Sequence, residues 1–133
     1  MQELNIFALV DLAKAMEQRM AVALFYSGLR IPQYRALEYI EQQGMVTVTD
    51  LSRQFGTTRA TASALANELI RSGALIAVEN AEDRRSFFLK LTQSGKNRLS
   101  VGRRDLQFVL DNISQRYPEE VVQQINRFLL GTG

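Results

Sequence analysis

The side chains best placed for chemistry are cations and small hydroxyls clustered in the middle of the chain. Thr58, Arg59, Thr61, Ser63 and Asn67 fall on or beside the outer face of one stretch of helical periodicity. Arg53 precedes them by one turn, and Arg84 and Arg85 sit together in a polar segment further on. Guanidinium groups and short hydroxyl donors at a helix entrance suit phosphate oxygens and the edges of bases. Two adjacent arginines in a turn suit a narrow, strongly negative groove. Arg53, Arg71, Lys90 and Lys96 are further phosphate candidates or ordinary solvated charges. Thr58 can serve simply as a helix cap, a role compatible with touching a ligand. Asn67 can reach an adenine or only water. Asp83 can pair with a neighbouring arginine and hold its direction.

Other chemistry is excluded by composition. The 133 residues contain no histidine and no cysteine. Serine–histidine and cysteine–histidine catalysis, disulfides, thiol redox switching and the common zinc sites are therefore ruled out. No carboxylate pair or activated lysine stands at a spacing that supports acid–base catalysis, so the chain is not read as an enzyme, and no cofactor or metal is expected.

Charge is segregated. Residues 1–52 carry four bases against six acids, residues 53–104 ten against four, and residues 105–133 two against four. A centre of net +6 lies between two ends of net −2 each. That is the distribution of a polyanion-binding module mounted on a platform of another kind. No apolar run approaches the roughly 20 residues of a membrane span. Glu3 and Asp11 replace the basic start of a signal peptide, so a cytoplasmic location is expected.

The elements that must position these residues follow from periodicity and punctuation. Apolar residues at three- and four-residue steps predict a long helix over 4–27, ended by Gly28. Pro32 opens a second helix, 32–43, closed by Gly44. Thr47 with Asp50 forms a capping box for a short helix, 48–55. Gly56 makes the turn, and Thr58 caps a helix over 59–72 whose buried stripe is Ala62, Leu65, Ala66 and Leu69. Together these are a helix-turn-helix. Two apolar runs, 74–78 and 86–91, flank a charged turn and predict a β-hairpin wing. Thr92 caps a long helix, 92–114, which Gly95 and Gly102 weaken. Pro118 begins a last helix, 118–130.

These residues resemble the MarR family of winged helix-turn-helix transcriptional regulators. Thr49-Asp-Leu-Ser-Arg-Gln-Phe-Gly56 carries the first helix of the motif. Thr58-Arg-Ala-Thr-Ala-Ser-Ala-Leu65 and Leu69-Ile-Arg-Ser-Gly-Ala-Leu75 carry the recognition helix. Glu82-Asp-Arg-Arg85, then Leu89-Lys-Leu-Thr92 and Gly95, carry the wing and the start of the next helix.

The resemblance implies a mainly α fold with a small β-hairpin wing, framed by N- and C-terminal dimerisation helices. Residues 1–31 and 105–133 form the helical dimerisation region, and residues 32–104 the DNA-binding winged helix, in one intertwined domain. It further implies a homodimeric repressor on an inverted-repeat operator in double-stranded DNA. The recognition helix would enter the major groove and the wing, with Arg84 and Arg85, the minor groove, with half-sites about one helical turn (~10 base pairs) apart.

Many relatives carry a basic residue where this chain has Ala64, so a strong guanine reader is missing. Relief by a small aromatic or anionic effector is a family trait. Phe25, Tyr26, Arg30 and Tyr34 are the candidate lining here, although such aromatics also serve as plain core. The alternative is a winged-helix protein-interaction module that modulates another regulator without specific DNA binding.

Overall fold

The computed structural model describes residues 3–131. The chain runs α1 (Ile6–Ala23), a 3₁₀ turn (Phe25–Ser27), α2 (Ile31–Gln43), α3 (Val48–Phe55) and α4 (Arg59–Arg71). It continues with β1 (Leu75–Glu79), β2 (Phe87–Leu91), α5 (Gln93–Ser114) and α6 (Glu119–Leu129). This is the mainly α architecture with a hairpin wing that the sequence predicts.

Side-chain caps decide where most helices begin. The Thr47 hydroxyl accepts from the Asp50 N–H (3.1 Å), and the Asp50 carboxylate accepts from the Thr47 N–H (3.0 Å). The Thr58 hydroxyl accepts from the Thr61 N–H (3.1 Å). The Thr92 hydroxyl accepts from the Gly95 N–H (3.0 Å) and donates to the Gly73 carbonyl (2.5 Å). Each satisfies an amide that the first helical turn leaves without an internal partner. Between α3 and α4, Gly56 takes φ 60°, a left-handed conformation that is costly for other residues and makes the tight corner of the helix-turn-helix.

The first helix is shorter than its periodicity suggests. Asn5 caps it through the Ala8 N–H (3.0 Å), so it begins at Ile6 rather than Leu4. It ends at Ala23 because buried Ser27 turns its hydroxyl onto the Leu24 carbonyl (2.5 Å) and accepts from the Leu29 N–H (3.1 Å). Backbone bonds from the Ser27 N–H to the Leu24 carbonyl (3.0 Å) and from the Gly28 N–H to the Phe25 carbonyl (3.1 Å) replace the helix ladder with a 3₁₀ turn, the Ser27 hydroxyl reinforces it, and the chain folds into an elbow.

The strands begin one residue later than expected. The Ala74 N–H bonds the Leu69 carbonyl and its own carbonyl accepts from Thr92, so Ala74 belongs to the turn after α4. β1 and β2 pair antiparallel, Leu75 with Leu91 through Glu79 with Phe87. Val46 adds a bridge to Leu89 that was not anticipated, linking the α2–α3 connection to the wing.

The core gathers one face from every element of the winged helix. Leu37, Ile40, Leu51, Leu69, Leu89 and Leu99 are fully buried, and Leu24 joins them from the elbow. Gly95 and Gly102 serve this packing, in a helix that runs unbroken. A Cβ at Gly95 would lie 2.1 Å from the Ala74 carbonyl oxygen, and one at Gly102 would lie 3.0 Å from both Leu24 and Tyr34. Glycine here permits close approach, which outweighs the ~1 kcal/mol of helix propensity each forgoes.

By contrast, neither α1 nor α6 contains a buried residue. Met20 and Ala23, at the end of α1, pack against the core, while α6 makes no extensive contact with another element among the described residues.

Candidate nucleic-acid interface

α3, the entrance of α4 and the wing converge on a cleft of about 500 Å³. Three of the predicted residues, Arg53, Arg59 and Arg85, line it together. They arrive by different routes. Arg53 stands in the last turn of α3, Arg59 is the first residue of α4, and Arg85 follows the wing turn. Asp50 and Asp83 also face the cleft, so three cations meet two anions there. Asp50 is engaged in the α3 capping box. Asp83 lies 3.6 Å from the Arg85 guanidinium, whose side chain is 95% exposed.

The wing turn is built by a chain of short-range bonds. Asn80 accepts from the Glu82 N–H (3.1 Å) and donates to the Ser86 hydroxyl (3.1 Å). The Asp83 carboxylate accepts from the Arg85 N–H (3.0 Å), and the Ser86 N–H bonds the Asp83 carbonyl (3.1 Å). Asn80 and Ser86 were not among the predicted site residues. Their signal is the spacing Asn80, Asp83, Ser86, polar side chains that bond backbone a few residues away and hold a turn.

The other predicted residues lie outside the cleft. Thr58 spends its hydroxyl on Thr61, accepting from its N–H and donating to its oxygen at 3.0 Å. Thr61 therefore keeps the proton that can serve an outside acceptor. Asn67 is exposed along α4, and Ser63 is half-buried. Arg84 is exposed in the wing turn next to Arg85. Ala60 and Ala64 are exposed on α4, apolar where a longer side chain would read a base.

The four residues expected to line an effector pocket are not brought together within one chain. Phe25 and Tyr26 are exposed and meet each other edge to face, 5.4 Å between ring centres. Tyr34 is buried, with its hydroxyl donating to Glu38 at 3.0 Å. Burial first, and then the Glu38 carboxylate, push its phenol up to about 12. Of the four, Arg30 lines a cavity of about 570 Å³ bounded by α1, α2, α3 and α4. Helical geometry explains the separation. Tyr34, Leu37 and Ile40 share the core face of α2, while Ile31 and Arg35 look toward the cavity.

Arg35 lies over the Phe55 ring there (5.0 Å), and Arg30 pairs with Glu68 of α4. Leu29, Ile31, Leu51 and Leu65 supply apolar wall.

No helix among the described residues is long and apolar enough to cross a membrane.

Comparison with known proteins agrees with this architecture. The MarR family matches residues 27–86. No curated protein sequence matches the chain significantly. Among solved structures, wild-type MarR of E. coli superposes with a TM-score of 0.80 at 14% identity, covering 98% of each chain. A mutant of the same protein in complex with operator DNA gives 0.87 at 15% identity, over 96% of this chain and 93% of that one. A MarR-family transcriptional regulator of Rhodococcus sp. gives 0.83 at 20% identity, over 97% and 94%. The match to the MarR family thus spans residues 27–86, and the whole chain shares its fold with solved MarR-family transcription regulators.

Proposed function

We propose that this chain is a dimeric, sequence-specific DNA-binding transcriptional regulator acting in the cytoplasm as a repressor. In this reading α4 enters the major groove and the wing, residues 79–86, follows the adjacent minor groove. The observation that carries it is the convergence of Arg53, Arg59 and Arg85 on one cleft between α4 and the wing. A strand of phosphodiesters separates the two grooves, so a body reading both must straddle that strand. Three guanidiniums at the crossing point are the groups it needs. The free N–H groups of the first turn of α4 add to the attraction. Direct base readout is sparse. Asn67 is suited to adenine, Ala60 and Ala64 to thymine methyls, and Arg84 to a narrow A·T-rich minor groove.

Dimerisation is supported by the exposed apolar faces of the two ends. Ile6, Phe7, Val10 and Leu12 on α1, and Ile125, Phe128 and Leu129 on α6, face solvent in the single chain. A second copy, engaged through residues 1–31 and 105–133, covers both in a self-complementary interface. Relief by a small aromatic anion is supported by the cavity beside α4, where Arg30 and Arg35 outnumber the one carboxylate, Glu17, in a largely apolar wall that also includes Thr57 and Thr61. Such a ligand shifts DNA affinity only to the extent that it prefers one orientation of α4.

Selection of bound sequences from a random duplex pool tests the reading. The expected product is an inverted repeat with half-sites about one helical turn, ~10 base pairs, apart. Patternless binding in the micromolar range would instead support a protein-interaction module.

A further inference from the structure

We propose that Arg98 is a positioning residue for DNA recognition, one that pins the elbow between the N-terminal arm and the winged helix and so sets the half-site spacing. The inference rests on the dimeric DNA-binding reading above.

Arg98 belongs to α5, yet its guanidinium is spent on two other parts of the chain. Its Nε donates to the Ser27 carbonyl (3.0 Å), and one terminal nitrogen donates to the Gly28 carbonyl (2.7 Å). The other terminal nitrogen donates to the Ser72 hydroxyl (3.2 Å). Ser27 and Gly28 are the elbow that joins α1 to α2. Ser72 is the C-terminal cap of the recognition helix. A planar, rigid fork of donors thus ties the arm, the end of α4 and α5 into one joint. A lysine, with a single ammonium on a flexible stem, cannot reproduce that geometry.

The elbow is shaped around this side chain. Gly28 has φ +68°, and a Cβ there would touch the Arg98 guanidinium at 3.3 Å. Among the described residues Arg98 forms no ion pair, and it directs its charge at carbonyls ending a 3₁₀ turn. The apolar packing of Leu24 and Tyr34 over Gly102 holds α1 near α5 independently. The guanidinium therefore contributes orientation to a joint that hydrophobic contacts already hold closed.

Small changes in this joint matter because the arm is long. α1 has 18 residues, or about 27 Å at 1.5 Å per residue. A rotation of about 10° at the elbow moves its far end by roughly 5 Å. One base pair advances the duplex by about 3.4 Å. An unpinned elbow would therefore let the two recognition helices of a dimer sample neighbouring spacings.

The test uses the full-length chain and a series of duplexes whose inverted half-sites are moved apart in single-base-pair steps. Affinity is read by fluorescence anisotropy, with dimerisation followed by sedimentation and salt dependence recorded for each variant. The wild type should prefer one spacing about tenfold over its neighbours, the size of one ordinary mismatch. Arg98→Met should remain dimeric with an unchanged salt slope, while that preference falls to about threefold or less. Arg98→Lys should resemble it. Ser72→Ala, which leaves both elbow bonds intact, should give an intermediate profile and keeps the test open if Arg98→Met does not fold.

Uniform loss of affinity at every spacing would reduce Arg98 to an ordinary stabilising residue and overturn the proposal. An unchanged spacing profile, or a shallower salt slope indicating a phosphate contact, would also overturn it. A wild type that binds no repeat at any spacing would remove the DNA-binding reading and this inference with it. A wild type with a sharp preference that Arg98→Met retains would remove only the inference.

Discussion

Two substitutions on the wing probe the cleft from opposite sides. Arg85→Ala removes one of its three guanidiniums, and Asp83→Asn removes one of its two carboxylates. The Arg85–Asp83 pair, 3.6 Å apart and largely in solvent, is worth well below about 1 kcal/mol after screening. Arg85 can therefore exchange Asp83 for a phosphate at little cost. Each phosphate neutralised adds about 0.9 to the slope of log affinity against log salt. Losing one contact should flatten that slope by about one unit, which narrows the loss of affinity between 50 and 200 mM salt by roughly three- to fourfold.

Asp83→Asn keeps an oxygen to accept from the Arg85 N–H, so the turn should persist. With one negative charge gone, binding should tighten by about twofold at low salt and converge on the wild type at high salt. Fluorescence anisotropy on a selected operator, repeated across a salt series, measures both effects. Parallel salt lines for Arg85→Ala and wild type, or weaker binding by Asp83→Asn, would refute the assignment of this cleft to the phosphate backbone.

Three further outcomes follow from the fold. Gly95→Ala should destabilise the protein despite alanine's better helix propensity, because the new Cβ meets the Ala74 carbonyl at 2.1 Å. A net loss of about 2 kcal/mol, seen in a melt as a fall of several degrees, is expected from such overpacking; an equal or higher Tm would contradict it. Phe128→Asp should shift the sedimentation profile toward monomer while leaving the circular dichroism of the winged helix unchanged, since α6 packs little on its own chain.

Tyr34 gives a pH dependence. Its phenol is pushed up to about 12 by burial and by Glu38, whereas an unfolded tyrosine titrates near 10. The folded state therefore holds this proton more tightly. The associated stability, on the order of 2 kcal/mol, is present in full below about pH 10 and lost as pH rises toward 12. Urea titrations between pH 9 and 12 should show a fall in stability that is shallower in Tyr34→Phe, and identical curves would exclude the linkage.

Much of the winged helix is legible in the chain because its signals are local. Thr47, Thr58 and Thr92 each sit three residues before the amide they cap. Gly56 marks its own corner, and the apolar stripe of α4 is spelled out in Ala62, Ala66 and Leu69. The charged wing turn is likewise visible as a run of charges between two apolar segments. Interactions that span three or four residues are constrained mainly by backbone geometry, and backbone geometry is shared by all chains.

What only the tertiary structure decided are the encounters between distant parts of the chain. Periodicity could not shorten α1, because the buried Ser27 that breaks it acts only once the elbow is packed. Propensity marked Gly95 and Gly102 as weak points, whereas their neighbours Ala74, Leu24 and Tyr34 make them points of closest approach. The four candidate effector residues lie close in sequence yet face different sides of their elements. Conversely, Arg53, Arg59 and Arg85 are separated in sequence and meet in one cleft. The bonds of Arg98 to Ser27 and Gly28 cross about seventy residues. Such partners are selected by which surfaces the assembled core leaves adjacent, and that depends on the packing of all the elements at once.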